Sequence, residues 1–367
     1  EQQDAAVDDR IEALRQRHIG IARELLAGDL YDEFLVELDR DCHDIAGILQ
    51  TVRLVRAAST TLRDLIAGYG ELWSTRLFER LLRRRGRSQG RVHWLDARRV
   101  LLVEWGPLGP GVRWEQSRAN LQAEVPPDFT GTVVITGFIA TDSQGLQTTL
   151  GRNGSDFSAS IFGSLFDAAE IVIWTDVDGV LSADPRLVPE AQVIAALSYN
   201  EAMELAYFGA KVIHPQTMAP AVQKRIPIWI KNTFAPDAPG TLIHDRTAPS
   251  PLVKGITTVE RIALVNLEGA GMIGVPGTAH RLFGALREEG ISVILISQGS
   301  SEHSICFAVP EPEADRAERV VRRAFEPELR EGQIQSVEVN RSCSILAVVG
   351  DGMAGAHGVA AQVFAAL

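Results

Sequence analysis

The chain has 367 residues, more than one ordinary hydrophobic core organises, and its 46% apolar and 23% charged content is that of a globular protein. A net charge of −11 excludes nucleic acid or an anionic membrane surface as the main partner. No apolar run reaches the ~18 residues a bilayer demands, the acidic start EQQDAAVDDR is not a signal peptide, and three cysteines without CxxC spacing point to a reducing compartment, the cytoplasm, rather than a disulfide framework.

In chain order, residues 1–85 read as amphipathic helices, as in IEALRQRHIGIARELL and LWSTRLFERLLRR. GYGELWSTRL sets Glu71 at a helix start after two glycines, where a carboxylate favours the helix dipole or binds an ammonium group. VHWLDARRVLLVEW gives short strands around a turn. GTVVITGFIA is a β-branched apolar run without a polar face, the pattern of a strand buried on both sides, and IVIWTDVDGV and IPIWIK begin alike. SASIFGSLFDAAE and SYNEAMELAYFGAKV, between these strands, are helical. Buried strands alternating with helices define an α/β fold, a mainly parallel sheet flanked by helices. Residues 235–253, rich in Pro and small residues, mark a domain boundary. Beyond it RIALVNLE, GTAHRLFGALREEG, SVILISQG, HSICFAVP, EADRAERVVRRAFEPEL and QIQSVEVN run βαββαβ, the ferredoxin-like order. Met272, Gly274, Gly277, Phe283 and Leu286 recur as Met353, Gly355, Gly358, Phe364 and Leu367 at a single offset of 81 residues. This reads as an internal repeat whose second copy starts and is not finished.

Chemistry-bearing residues gather in three stretches. TTLGRNGSDFSASIFG, residues 148–163, passes from a strand end through two glycines into a helix. Gly151 and Gly154 let the backbone approach a ligand, Ser155 or Asp156 caps the helix, the helix N-terminus suits an anion, and Arg152 can grip a carboxylate with two parallel hydrogen bonds. A plain turn carrying a surface arginine is the alternative. The four lysines are Lys211, Lys224, Lys231 and Lys254, so no lysine-bearing phosphate loop exists in the first 210 residues. In IVIWTDVDGVLSADPR, Thr175 and Asp176 close a buried strand, the end at which open α/β sheets bind ligands. Asp176, Asp178 and Asp184, beside Arg186, can manage the phosphates and Mg²⁺ of a nucleotide, or form a solvated acidic turn; the spacing is not that of an EF-hand, and no dedicated metal-ligand cluster is read. The same Asp-x-Asp-Gly resembles the first motif of haloacid-dehalogenase-type phosphatases, whose first Asp attacks phosphorus, but no acidic pair follows a later strand of this domain. In AMELAYFGAKVIHPQT, Lys211 follows a glycine turn as a point charge for phosphates or as a solvated helix end. His214, restrained by Pro215, reads as structural.

LGRNGSD, WTDVDGV with DPR, AMELAYFGAKVIHP and IKNT…APGT together resemble the aspartate kinases, over roughly residues 60–367. VKGITTVE, EGAGMIGVPGTAHRLFGAL and ISQGSSEHSICFAVP are most similar to the kinase portion of bifunctional aspartokinase–homoserine dehydrogenases. The resemblance implies an amino-acid-kinase fold over residues 1–245, a first ferredoxin-like ACT regulatory unit over 254–340 and the start of a second over 341–367. It implies phosphorylation of the side-chain carboxylate of L-aspartate to 4-phospho-L-aspartate by ATP with Mg²⁺, the first step toward threonine, lysine and methionine. Threonine rather than lysine is the implied feedback effector, and a homo-oligomer paired through ACT units the implied assembly. Residue by residue, it implies that Arg152 holds a carboxylate of aspartate and Glu71 its ammonium group, and that Asp156 lies near the phosphates. Thr175 and Asp176 then contact the nucleotide, Arg186 and Lys211 its phosphates, and Gln298 the effector; Leu181 stands where the family often has tyrosine. The family's opening strand and Lys-Phe-Gly-Gly-Thr-Ser loop are unmatched, and the second ACT unit and the dehydrogenase are incomplete or absent. The expectation is a chain cut at both ends, its own catalysis slowed roughly a few thousandfold, with a non-catalytic amino-acid-sensing remnant as the alternative.

Overall fold

The computed structural model describes residues 2–86, 91–107, 109–209, 214–245, 251–299 and 303–367, with side chains from residue 7 onward. It forms two compact units, Glu1–Asp178 with Ile213–Asp245, and Gly179–Val212 with Arg246–Leu367. Among the described residues no helix is long and apolar enough to cross a membrane.

The first unit opens with α1 (Gln2–Leu25), α2 (Asp29–Val55) and α3 (Thr60–Arg85). Gly28, at φ 56°, breaks the first two apart, and the Ser59 hydroxyl caps α3 by accepting the Leu62 N–H. Their apolar faces meet at Ile19, Ala22, Phe34, Leu38, Trp73 and Leu77. Asp41 is buried there, accepting from Trp73 Nε1 at 3.1 Å and Arg76 Nη1 at 2.6 Å, which satisfies a charge that burial would otherwise penalise. The chain continues through β1 (Arg91–Leu95), β2 (Leu102–Gly106), β3 (Gly109–Val112), α4 (Trp114–Glu124), β4 (Gly131–Ile135), β5 (Ile139–Asp142), β6 (Gln147–Thr149), α5 (Gly154–Leu165) and β7 (Ile171–Thr175). After β8 (Ala196–Ser198) and α6 (Tyr199–Tyr207), which lie in the second unit, α7 (Pro215–Lys224), β9 (Ile228–Asn232) and β10 (Thr241–His244) complete the first.

Strand β1 pairs parallel with β4, from Arg91↔Gly131 to Leu95↔Ile135, and β7 pairs parallel with β9, from Ile171↔Ile228 to Thr175↔Asn232. Strands β3, β2, β5 and β6 form a third sheet in that order. Helix α5 packs against α7 and β7, with Ile161, Phe162 and Leu165 in the core. The run GTVVITGFIA, expected as one strand, is two: the chain turns at Thr136–Phe138 between β4 and β5. Its apolar composition specifies burial but not straightness, and Gly137 admits the break. The Pro-rich stretch expected as boundary contains β10, paired antiparallel with β9.

In the second unit, β11 (Gly255–Glu268), α8 (Thr278–Glu288), β12 (Leu295–Gln298), β13 (Ser304–Pro310), α9 (Ala314–Ala324), the short α10 (Glu326–Arg330), β14 (Ser336–Val349) and α11 (Val359–Ala366) follow in order. The sheet order is β12-β13-β11-β14, all antiparallel, and α8 and α9 cover one face with Leu282, Leu286, Ala317 and Val321 against Val265 and Phe307. The βαββαβ reading holds, with α10 as an addition.

The sequence repeat extends to the backbone. Gly277 and Gly358 both precede a helix at φ 90° and 84°, and Gly269 and Gly350 share extended angles at φ 177° and 169°. The irregular residues within β11 and β14, Arg261 at φ 58° and Ser342 at φ 57°, are likewise equivalent. Gly255–Val259 pairs with Ile345–Val349, and Leu264–Glu268 with Ser336–Asn340, so the two long strands are related by a local two-fold. The first half of β11 therefore serves the second copy, and the copies interleave. In that copy the counterparts of packed Phe283 and buried Leu286 are Phe364 and Leu367, 75% and 81% exposed.

A buried ion pair ties α6 to the repeat. Lys254 Nζ lies 2.8 Å from Glu201 Oε2 and also donates to the Ala196 carbonyl. Glu201 accepts from the Ser198 and Asp351 N–H groups, each at 2.8 Å, closing a capping box with Ser198. Burial opposes its ionisation, but Lys254 and the two N–H donors outweigh it and hold its pKa below the ordinary glutamate value.

Candidate functional site

Glu71 is not at a helix start. It lies inside α3, which runs unbroken through Gly68 and Gly70. Gly68 is required by packing: a Cβ there would collide with the Gln147 amide nitrogen and sit 3.0 Å from Ile139 Cγ2. Gly68 marks a close crossing over β5 and β6 rather than a terminus, while a Cβ on Gly70 would meet nothing.

That crossing carries the Glu71 carboxylate to the turn after β4. The Gly137 N–H donates to it, and a Cβ on Gly137 would stand 3.5 Å from Glu71 Oε2 and 3.7 Å from Ser155 Cα. Glu71 thus sits beside the first turn of α5. Burial pushes its pKa above the ordinary glutamate value, with the Gly137 donor as a partial offset. Phe138 follows at φ 65°, a conformation that costs a bulky residue and persists because the surroundings impose it. Its N–H donates to Ser158 Oγ at 2.8 Å, its carbonyl accepts from Leu150 N at 2.7 Å, and its ring leaves no room for a Cβ on Gly154.

Helix α5 begins at Gly154 and is capped by Asn153 in the left-handed region, φ 57°, without a capping side-chain hydrogen bond. Neither Ser155 nor Asp156 is the cap, because Gly151 and Asn153 already turn the chain and the helix starts earlier. The Gly154 N–H donates to the Gly151 carbonyl at 3.1 Å, and no side-chain oxygen caps the N–H groups that follow it, which leaves a favourable seat for an anion. Arg152 is exposed at this turn and makes no ion pair with a described residue. Asp156 is half-buried, and burial pushes its pKa above the ordinary aspartate value. Glu71, Gly137, Arg152, Ser155 and Asp156 thus share one end of α5.

A second group closes β7 and β9. Thr175 Oγ1 donates to Asp176 Oδ1 at 3.2 Å, Thr233 N to the Thr175 carbonyl at 2.8 Å, and Asn232 Nδ2 to Asp178 Oδ1 at 2.7 Å. Both parallel strands end here, at the carboxyl edge where such sheets take ligands.

Arg186 belongs to the second compact unit. Its exposed guanidinium forks onto Asp184, Nε–Oδ1 3.0 Å and Nη2–Oδ2 2.6 Å. Lys211 lies outside the described residues. His214 caps α7, its ring accepting from Gln216 N. Gln298, at the exposed end of β12, joins Met272, Gly274, Gly277, Thr278 and Ile305 around a cleft of about 300 Å³. The three cysteines are free thiols. Among the described residues no group of three or more His, Cys, Asp or Glu is arranged to hold a metal ion.

Sequence reasoning did not single out Gly137, Phe138 or Asn232. A glycine directly after a buried strand, at the ligand end of the sheet, was the available signal for the first two.

This architecture is that of an amino acid kinase followed by an ACT domain. Residues 8–232 match the amino acid kinase family and residues 265–325 an ACT domain. The kinase match includes 179–212, the segment that is compact with the ACT unit. The bifunctional aspartokinase/homoserine dehydrogenase 2 of Arabidopsis thaliana is 42% identical over 97% of this chain and 39% of its own length, so the chain spans well under half of that relative. The lysine-sensitive aspartokinase 3 of Escherichia coli is 32% identical over 98% of this chain and 78% of its own. The crystal structure of E. coli aspartokinase III in complex with aspartate and ADP superposes with a TM-score of 0.76 at 29% identity, covering 97% of this chain and 78% of that one. The chain belongs to the amino acid kinase family and, within it, to the aspartokinases.

Proposed function

We propose that this chain binds L-aspartate and ATP and transfers the terminal phosphoryl group to the aspartate side-chain carboxylate, giving 4-phospho-L-aspartate. The observation that carries the reading is Glu71 beside the first turn of α5, with Arg152 and Asp156 on the same turn. A half-buried carboxylate is matched to an ammonium group, and an exposed guanidinium without an ion pair among the described residues to a carboxylate, and together they orient a zwitterionic acidic amino acid. The open N–H groups of α5 suit developing negative charge on the transferred group. Thr175 and Asp176 take the nucleotide side. Asp176 and Asp178 are the carboxylates suited to Mg²⁺, which binds through one or two carboxylates plus substrate phosphates and supplies charge neutralisation there. Catalysis is positioning and electrostatics, with no covalent intermediate.

In this reading residues 1–245 are the kinase domain, 254–340 the first ACT unit and 341–367 the start of a second. The cleft at Gln298 takes a small amino acid. Threonine is favoured over lysine by the higher identity to bifunctional enzymes, 42% against 32% to the lysine-sensitive one. The ACT sheet, whose strand β12 has a single neighbour, pairs copies into a homo-oligomer. The enzyme works in the cytoplasm, where its free thiols stay reduced, at the head of threonine, lysine and methionine synthesis.

The following measurements test this. Aspartate-dependent ADP release from the purified chain is expected, and Arg152→Ala should weaken aspartate binding about 10–100-fold while leaving ADP affinity unchanged. Unaltered aspartate affinity would remove Arg152 from the site. Binding of both ligands without turnover would favour the amino-acid-sensing reading, and phosphate release from simple monoesters a phosphatase. Calorimetry with threonine and lysine names the effector; no heat from either ends the sensing claim.

A further inference from the structure

Phe234 follows the end of β9, and its side chain is 83% exposed. Single exposed apolar residues are ordinary, but this one is held by a fixed backbone. Thr233 N donates to the Thr175 carbonyl at 2.8 Å, extending the β7–β9 ladder one residue further. Phe234 N donates to Asn232 Oδ1 at 2.9 Å, and the same amide's Nδ2 donates to Asp178 Oδ1 at 2.7 Å. Ala235 N then closes a turn onto the Asn232 carbonyl. The ring therefore projects from a braced turn, on the same strand ends as Thr175 and Asp176. Neighbouring strands lie about 4.8 Å apart, so the turn is within roughly two strand spacings of Thr175.

The chemistry of this edge is complementary to a nucleotide in two parts. Asp176, Asp178 and the Thr175 hydroxyl are polar and suit the phosphate and cation end. Phe234 is an apolar face with no hydrogen-bonding group, and flat aromatic bases gain by stacking on such a face. Resting on the nucleotide reading above, we infer that Phe234 is the stacking platform for the purine base of the bound nucleotide. Because its ring carries no donor or acceptor, it stabilises the base without reading its edge. Adenine and guanine nucleotides should lose equally when it is removed.

The test is calorimetric titration of the whole chain with ADP, GDP and inorganic tripolyphosphate, the last as a base-free probe. Phe234→Ala is expected to weaken ADP and GDP by the same factor, about tenfold, and to leave tripolyphosphate unchanged. Phe234→Trp should restore ADP affinity. The side chain is solvent-exposed, so the variants should keep the wild-type circular dichroism, and aspartate binding checks that the fold is intact. Unchanged ADP affinity in Phe234→Ala overturns the inference while the nucleotide reading stands. So does equal loss of tripolyphosphate, which would make the residue a scaffold for the turn. A wild-type chain that binds no ADP overturns both.

Discussion

At the scale of single residues the two half-buried carboxylates beside α5 hold opposing demands. Burial raises the pKa of both Glu71 and Asp156. For a carboxylate whose folded pKa is raised, the associated stability is full below its unfolded pKa and is lost as pH rises through the folded value, so both groups weaken the fold at neutral pH. In the proposed site both serve binding at a cost in stability. Glu71 must be ionised to hold an ammonium group. Aspartate affinity should therefore fall as pH is lowered toward and through the raised Glu71 pKa, which lies above the ordinary 4.5. Glu71→Gln should remove that pH dependence, cost about tenfold or more in aspartate affinity, and raise the melting temperature at pH 7. Calorimetry across pH 4.5–8 with thermal melts measures all three.

At the scale of elements, the decisive feature is how α3 crosses β5 and β6. Gln147 donates through Nε2 to the Asp64 and Leu65 carbonyls at 2.9 and 3.2 Å, and its Oε1 accepts from Arg98 Nη1 at 2.6 Å. Gly68 leaves space for that amide. Gly68→Ala, which would favour an isolated helix by about 1 kcal/mol, should here destabilise by about 1–3 kcal/mol, since the amide must move and lose these bonds. It should also weaken aspartate binding by shifting Glu71. Denaturant melts that show stabilisation would contradict the crossing geometry. The helical character of this stretch was legible from its periodicity; the unbroken passage through Gly68 was not, because the reason for that glycine lies in β6, far along the chain.

At the scale of the molecule, the two compact units have separate cores, and the Lys254–Glu201 pair belongs to the second. Removing one partner of a buried pair strands the other charge at about 3–5 kcal/mol. Lys254→Ala should therefore lower the unfolding transition of the second unit and leave that of the first in place. Glu201 has a depressed pKa, so its contribution is full above the unfolded value and disappears as pH falls through the folded one. The wild-type second unit should lose stability below about pH 4.5, and Lys254→Met with Glu201→Leu should reduce that acid sensitivity, with the part due to Glu289 and Glu328 remaining. Scanning calorimetry at pH 7 and pH 4 reads both effects.

The sequence by itself determined what is local or periodic. The α/β alternation, the βαββαβ order, the glycines of the repeat and the GRNGSD and TDVDG turns were all legible, because hydrophobic period and left-handed glycine positions act within a few residues. Only the tertiary structure decided what joins distant segments. It brought Glu71 in mid-helix to Gly137 and Ser155, tied Asn232 to Asp178, buried Lys254 against Glu201, and placed residues 255–259 in the second copy of the repeat. These partners are chosen by packing and by the satisfaction of buried polar groups, and neither leaves a mark in the spacing of residues along the chain.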